Sequence, residues 1–154
     1  MSGRFFPLDD YFMRMALREA ARALEHDDVP IGAVLVRDGE LVAAAHNERE
    51  LRQDPTAHAE VIALREAARL AGSWRVLDSV LYVTLEPCAM CAGAISLARL
   101  RRLYYAAPDP KGGAVDNGPR FFQEPTCHHA PEVYGGLRES EAAAMLKTFF
   151  AARR

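Results

Sequence analysis

Apolar positions near the start of the chain recur at three and four residues. Phe12, Ala16, Ala20, Ala23 and Leu24 fall on one side of a helix, with Arg14, Arg18, Arg22 and Glu25 on the other. Asp9 or Asp10 suits its N-cap, and Pro30 lies beyond its end. The period then becomes that of strands. Ile31–Arg37 and Glu40–Ala45 are apolar-rich runs joined by Asp38-Gly39, a pair that accepts the positive φ angles of a tight hairpin turn. Asn47–Pro55 is polar and reads as a loop. Helical spacing returns over Ala57–Ala71, with Val61, Leu64, Ala68 and Ala71 on one face and Gly72 placed to end the helix. Val80–Thr84 is β-branched and aromatic, the composition of a buried strand. Pro87 opens a short helix through Leu97, because proline suits a first helical position, and Leu103–Ala107 is a further strand. Pro108–Pro131 reads mostly as loop. Glu141–Arg153 is an amphipathic helix with Ala142, Met145, Leu146, Phe149 and Phe150 apolar.

A hairpin followed by alternating helices and strands predicts a three-layer α/β/α domain with a mixed sheet. The strand–helix–strand from Val80 to Ala107 should form a right-handed crossover between parallel strands. At 154 residues the chain is the size of one ordinary domain, and no repeat, low-complexity tract or linker divides it. No apolar run approaches the roughly 20 residues that span a bilayer, and Met1–Tyr11 has no apolar signal core, so no membrane and a cytoplasmic address are expected. The net charge is −2 from 19 Lys+Arg and 21 Asp+Glu, which gives no global sign of a nucleic-acid partner. The charge is unevenly placed: residues 1–98 hold 10 basic and 15 acidic side chains, residues 99–154 hold 9 and 6. A polyanion site is therefore expected mainly on the C-terminal third.

Three cysteines, two of them in Cys88-x-x-Cys91, do not make a disulfide framework; they raise metal or redox chemistry instead. Two motifs stand at predicted helix starts: His58-Ala59-Glu60, preceded by Asp54-Pro55-Thr56, and Pro87-Cys88-Ala89-Met90-Cys91. Cys88 and Cys91, at i and i+3, share a face, and the helix dipole favours thiolates there. Zinc takes one nitrogen and two sulfurs in a tetrahedral site with a fourth position open to water, and His58 can supply the nitrogen if the helix N-termini converge. Glu60 then sits where it can carry protons to and from that water. Each piece alone has a plainer reading. A single helix-start His is an ordinary cap, Cys-x-x-Cys can be a redox pair, and Glu60 can be a first-turn acid favoured by the dipole. Together, four zinc-chemistry residues at two helix starts favour the metal, since a redox pair leaves His58 and Glu60 unused.

The pair His58-Ala59-Glu60 and Pro87-Cys88-x-x-Cys91 resembles the signature of the zinc-dependent nucleobase deaminases of the cytidine/deoxycytidylate deaminase superfamily. Within it the chain is similar to the bacterial tRNA-specific adenosine deaminases through Val29–Ala33, Asn47, Asp54–Glu60, Leu81–Pro87, Asp109–Ala114, Phe149-Phe150 and Arg153-Arg154, over nearly its whole length. The resemblance implies a cytidine-deaminase-like fold and hydrolytic conversion of adenosine to inosine at the wobble position of a tRNA anticodon loop (tRNA-Arg being the expected substrate). It implies one Zn2+ per subunit on His58, Cys88 and Cys91, Glu60 as proton shuttle to ring N1 and the departing ammonia, and a homodimer. It assigns Asn47 to the target nucleotide, the backbone near Ala59 and Glu86 to base and ligands, and Val29, Pro30, Ile31 and Leu85 to the pocket wall. Asp109 and Lys111 would meet the nucleotide backbone, and Phe149, Phe150 and Arg153 with Arg154 would flank the anticodon loop. The alternatives are a guanine or cytosine deaminase of the same fold acting on a free base or nucleoside, or a non-catalytic RNA-binding module with structural zinc. The pattern departs from the family over Val115–Leu137, where Cys127-His128-His129 reads as a polar loop rather than a second metal site. Arg99, Arg101 and Arg102 are either a solvated helix end or a phosphate contact. Trp74 is expected to pack under the second helix, and His26 and His46 to be surface or packing residues.

Overall fold

The computed structural model describes residues 6–153; Arg154 lies outside them. Helix α1 spans Pro7–Ala23, strands β1 and β2 span Gly32–Arg37 and Glu40–His46, and a single turn, α2, spans Arg49–Arg52. Then follow α3 (Ala59–Ala71), β3 (Ser79–Leu85), α4 (Ala89–Ala98), β4 (Arg102–Ala107), β5 (Glu132–Gly135) and α5 (Glu139–Ala151). The sheet order is β2-β1-β3-β4-β5. Strand β1 is antiparallel to β2 and β3, whereas β3, β4 and β5 run parallel, so the sheet is mixed as expected.

Strand alternation divides the interior into two cores. Ala33, Leu35, Leu81, Val83, Leu103 and Tyr105 face α3 and α4, meeting Ala63, Leu64, Ala92 and Ile95. Val34, Val36, Val80, Tyr82, Tyr104 and Ala106 face α1 and α5, meeting Phe12, Met13, Ala16, Leu17 and Ala142. Burying each large apolar side chain contributes about 1.5–3 kcal/mol, so neither layer is dispensable. Asp38 and Gly39 have φ of 53° and 77°, the left-handed pair that closes the β1–β2 hairpin. Gly32 is required by proximity: a Cβ there would lie 2.0 Å from the Ala16 carbonyl oxygen, so α1 packs directly on the β1 backbone.

Several expectations need correction. Helix α1 starts at Pro7, so neither Asp9 nor Asp10 is its N-cap. Asp9 instead lies in the first turn, where its Oδ2 accepts the Phe6 N–H and its Oδ1 the Tyr82 hydroxyl (2.6 Å). Leu24 lies beyond α1 and is exposed, while Met13 and Leu17 complete the buried face. Helix α3 turns Ala59, Ala63, Leu64 and Ala67 inward and leaves Ala71 exposed. Pro87 stands before α4 rather than within it, because Cys88 is the N-cap. Trp74 does not pack under a helix. It is exposed, with the Arg75 guanidinium 4.1 Å from its ring centre. Strand β5 lies beyond the expected loop, as a four-residue edge.

Candidate metal centre and active site

Both metal motifs sit at helix N-caps. His58 caps α3 and Cys88 caps α4, each with extended backbone (φ −78°, ψ 150° and φ −74°, ψ 177°). An N-cap side chain ordinarily hydrogen-bonds the first helical amides. Neither does so here. The Oδ1 of buried Asn47 accepts the Ala59 N–H at 2.9 Å, serving the first turn of α3 from another segment and leaving the His58 ring available. Cys91 follows one turn into α4, and its Sγ lies 3.6 Å from His58 Nδ1, with Cys88 Sγ at 3.7 Å from the same atom. Ligands about 2.0–2.1 Å (N) and about 2.3 Å (S) from a tetrahedral zinc are separated by about 3.6 Å, so this donor set fits one Zn2+. The three ligand atoms form a compact cluster.

The pKa of Cys88 is pulled down to about 4, by hydrogen bonds from Cys91 and from His58. Cys91 is pushed up because it is the donor in that bond and is buried, and His58 is raised by its bond to the Cys88 thiolate. Glu60, on the first turn of α3 and 4 % exposed, is raised to about 7, chiefly by burial. A carboxyl that titrates near neutrality beside an activated water is suited to accept and return protons.

The nucleotide-contact expectations divide. A cavity of about 630 Å³ is walled by Val29, Leu85, Asp109, Lys111 and Phe150 among others, all residues assigned to the substrate by resemblance. His58, Cys88, Cys91 and Glu60 do not line it; Leu85, on its wall, lies three residues before Cys88 in sequence. Pro30 is buried and Ile31 packs against the α3-side core, and neither lines the cavity; the Ile31 carbonyl accepts the Asn47 N–H. The Ala59 amide is engaged by Asn47. Phe149 is buried, and the Arg153 guanidinium lies 3.5 Å above its ring while pairing with Asp27. Among the described residues of that terminal group, Phe150 alone lines the cavity.

The Glu86 side chain organises a neighbouring loop. Its Oε1 accepts the Asp109 N–H (2.9 Å) and the Asn117 side-chain amide (2.7 Å), and its Oε2 accepts the N–H groups of Val115, Asp116 and Asn117. These bonds hold the whole 109–117 loop against the end of β3. Gly113 has no room for a Cβ, which would lie 2.5 Å from Glu86 Cδ. Asp109 Oδ1 accepts the Lys111 and Gly112 N–H groups, and Lys111 is exposed. Cys127-His128-His129 forms a docked loop: Ser96 Oγ and Cys127 Sγ both donate to the His129 carbonyl, and the His129 ring bonds the Leu100 carbonyl at 2.6 Å. Arg99 closes α4 in left-handed conformation and Arg102 faces Glu132 at 3.6 Å, which leaves Arg101 as the exposed member of that cluster.

An α/β sheet presenting a His/Cys/Cys set beside a buried acid is what a zinc-dependent hydrolytic deaminase requires. Residues 7–107 match the cytidine and deoxycytidylate deaminase zinc-binding region, and the chain belongs to that family. It is 58% identical to a tRNA-specific adenosine deaminase of Agrobacterium fabrum, over 94% of this chain and 95% of that protein. It is 46% identical to the tRNA-specific adenosine deaminase of Bacillus subtilis, over 92% and 88%. A solved structure from work on A-to-I editing by tRNA:A34 deaminases at the wobble position of transfer RNA superposes with a TM-score of 0.87 at 59% identity, covering 88% of this chain and 99% of that one.

Proposed function

We propose that residues 1–154 form a single deaminase domain that converts adenosine to inosine at the wobble position of a tRNA anticodon loop. The observation that carries the chemistry is the convergence of His58, Cys88 and Cys91 on one point, with buried Glu60 two residues beyond His58. A bound Zn2+ supplies a Lewis acid that brings the pKa of water from ~15.7 towards ~7. Glu60 takes a proton from the attacking water and passes it to ring N1 so that C6 accepts the oxygen, then carries a second proton, from the new C6 hydroxyl, to the amino group, which leaves as ammonia. The balance is adenosine plus water to inosine plus ammonia. Asn47 orders the α3 N-terminus and contributes its side-chain amide nitrogen towards the nucleotide.

The substrate follows from the relatives and from the cavity. A base must leave its stack to reach a buried centre, and an unpaired anticodon loop makes that inexpensive. The cavity wall includes both the Asp109–Lys111 loop and Phe150, features a free-base enzyme has no need of. Within this reading tRNA-Arg is the substrate, the cytoplasm is the place of action, and the enzyme works as a homodimer. Exposed Met90 and Leu97 on α4 offer apolar surface for the second copy. No helix among the described residues is long and apolar enough to cross a membrane.

The test is ammonia release from a tRNA-Arg anticodon stem-loop, free adenosine, cytosine and guanine offered separately to the zinc-loaded protein. Release from the stem-loop alone is expected. Preferred release from guanine or cytosine would transfer the reading to a free-base deaminase, and no release from any of them would support a non-catalytic zinc module.

A further inference from the structure

Outside the centre described above, the described residues hold one other group of three side chains arranged to take an ion: His26, His46 and Glu48. They come from three places. His26 ends the helical turn that follows α1, His46 ends β2, and Glu48 lies two residues on at the N-cap of α2. His46 and Glu48 flank Asn47 at the β2–α2 junction. His46 Nε2 lies 3.3 Å from His26 Nε2 and 3.4 Å from Glu48 Oε2. Ligand atoms about 2.0–2.1 Å from a tetrahedral ion stand about 3.3 Å apart, so these separations are two edges of such a polyhedron.

Protons alone serve this cluster poorly. His46 Nε2 has one site, a hydrogen or a lone pair, and two groups converge on it. The other ends are already held. Glu19 Oε1 lies 3.0 Å from His46 Nδ1, which turns Nε2 towards the cluster in the carboxylate–histidine arrangement that supports metal ligands. Arg52 Nε donates to Glu48 Oε1 at 2.7 Å, leaving Oε2 for the cluster. The two imidazoles stack at 5.4 Å between ring centres. Because His26 is only half-buried, water can complete the coordination.

We propose that His26, His46 and Glu48 form a second metal site, taking a first-row divalent transition ion such as Zn2+ through two imidazole nitrogens and one carboxylate oxygen. Two histidines and a carboxylate favour such ions over the oxygen-preferring Mg2+ and Ca2+. The site is structural. It ties the end of α1 to the β2–α2 junction, whose middle residue is Asn47, the residue that caps α3 beside the His58 ligand.

Elemental analysis of the purified protein, after equilibration with low-micromolar Zn2+ and gel filtration, tests this. The unaltered chain should carry two zinc ions, and His26→Gln and Glu48→Gln should each carry one with deaminase activity kept. Neither residue is a ligand of the first centre, so a lost ion with activity retained is lost from the second site. One ion in the unaltered chain, or two ions retained in either variant, overturns the proposal. A variant that lost both ions would also overturn it, because the two sites would then not be separate.

Discussion

Glu60 and Asn47 show how a residue's task depends on what it meets. Glu60 would be an ordinary first-turn acid by position alone, yet burial raises its carboxyl to about 7. In the metal-free protein this has a definite sign. The folded state holds the proton more tightly than the unfolded state, whose carboxyl titrates near 4.5, so Glu60 increasingly opposes folding as pH rises from about 4.5 through about 7. Glu60→Gln in chelator-treated protein should therefore raise stability at pH 8, by up to about 3 kcal/mol, with the gain vanishing near pH 4. Denaturant melts of both proteins across that range measure it, and an equal or lower stability of the variant at pH 8 would refute the burial argument. His58, Glu60, Cys88 and Cys91 were legible in the sequence because zinc chemistry demands those side chains in that spacing. The partners of Asn47 and Glu86 were not legible, because a carboxylate or amide can accept any N–H and the fold decides which one arrives. Glu86 collects five such donors from a loop more than twenty residues further along the chain.

Among the elements, the β1–β2 hairpin could be read from Asp38-Gly39, since few pairs accept two positive φ angles in succession. Helices α1, α3 and α5 were visible in their periodicities, β3 in its β-branched and aromatic composition, and α4 in the proline before it. Strand β5 was not. Four residues at a sheet edge, Glu132–Gly135, are too short for a period to emerge, and Gly135 is there because the Tyr105 ring leaves no room for a Cβ. The rotation of α3 was misread because its buried stripe is mostly alanine, which marks a face weakly. Among the described glycines, Gly32, where α1 meets β1, has the closest approach to a neighbour. Gly32→Ala puts a methyl group 2.0 Å from the Ala16 carbonyl oxygen and 2.4 Å from the Ala20 nitrogen, so backbone must move. A loss of about 3 kcal/mol is expected in an equilibrium unfolding experiment, at the upper end of overpacking costs. A loss under about 0.5 kcal/mol, the range of neutral surface substitutions, would show that α1 can slide away from the sheet.

On the scale of the whole molecule, the net charge of −2 conceals a division that the ion pairs sharpen. Among the described basic residues after position 98, Arg102 faces Glu132, Arg138 pairs with Asp10 and Glu141, Arg153 pairs with Asp27, and Arg99 closes α4. Arg101, Lys111, Arg120 and Lys147 stand exposed. About four phosphate contacts per subunit in single-stranded RNA give a log–log salt slope of about −3. Titrating stem-loop binding against salt checks this, and a slope steeper than about −6 would mean a basic surface that a single subunit does not present.

The most direct measurement is mass analysis of nucleosides from an anticodon stem-loop incubated with zinc-loaded protein, unaltered or Glu60→Gln. Inosine should replace adenosine at the wobble position alone with the unaltered chain. The variant should hold its zinc and form almost none. Inosine formed at an undiminished rate by the variant, or no inosine from the unaltered chain, would contradict zinc-dependent adenosine deamination with Glu60 as the proton carrier.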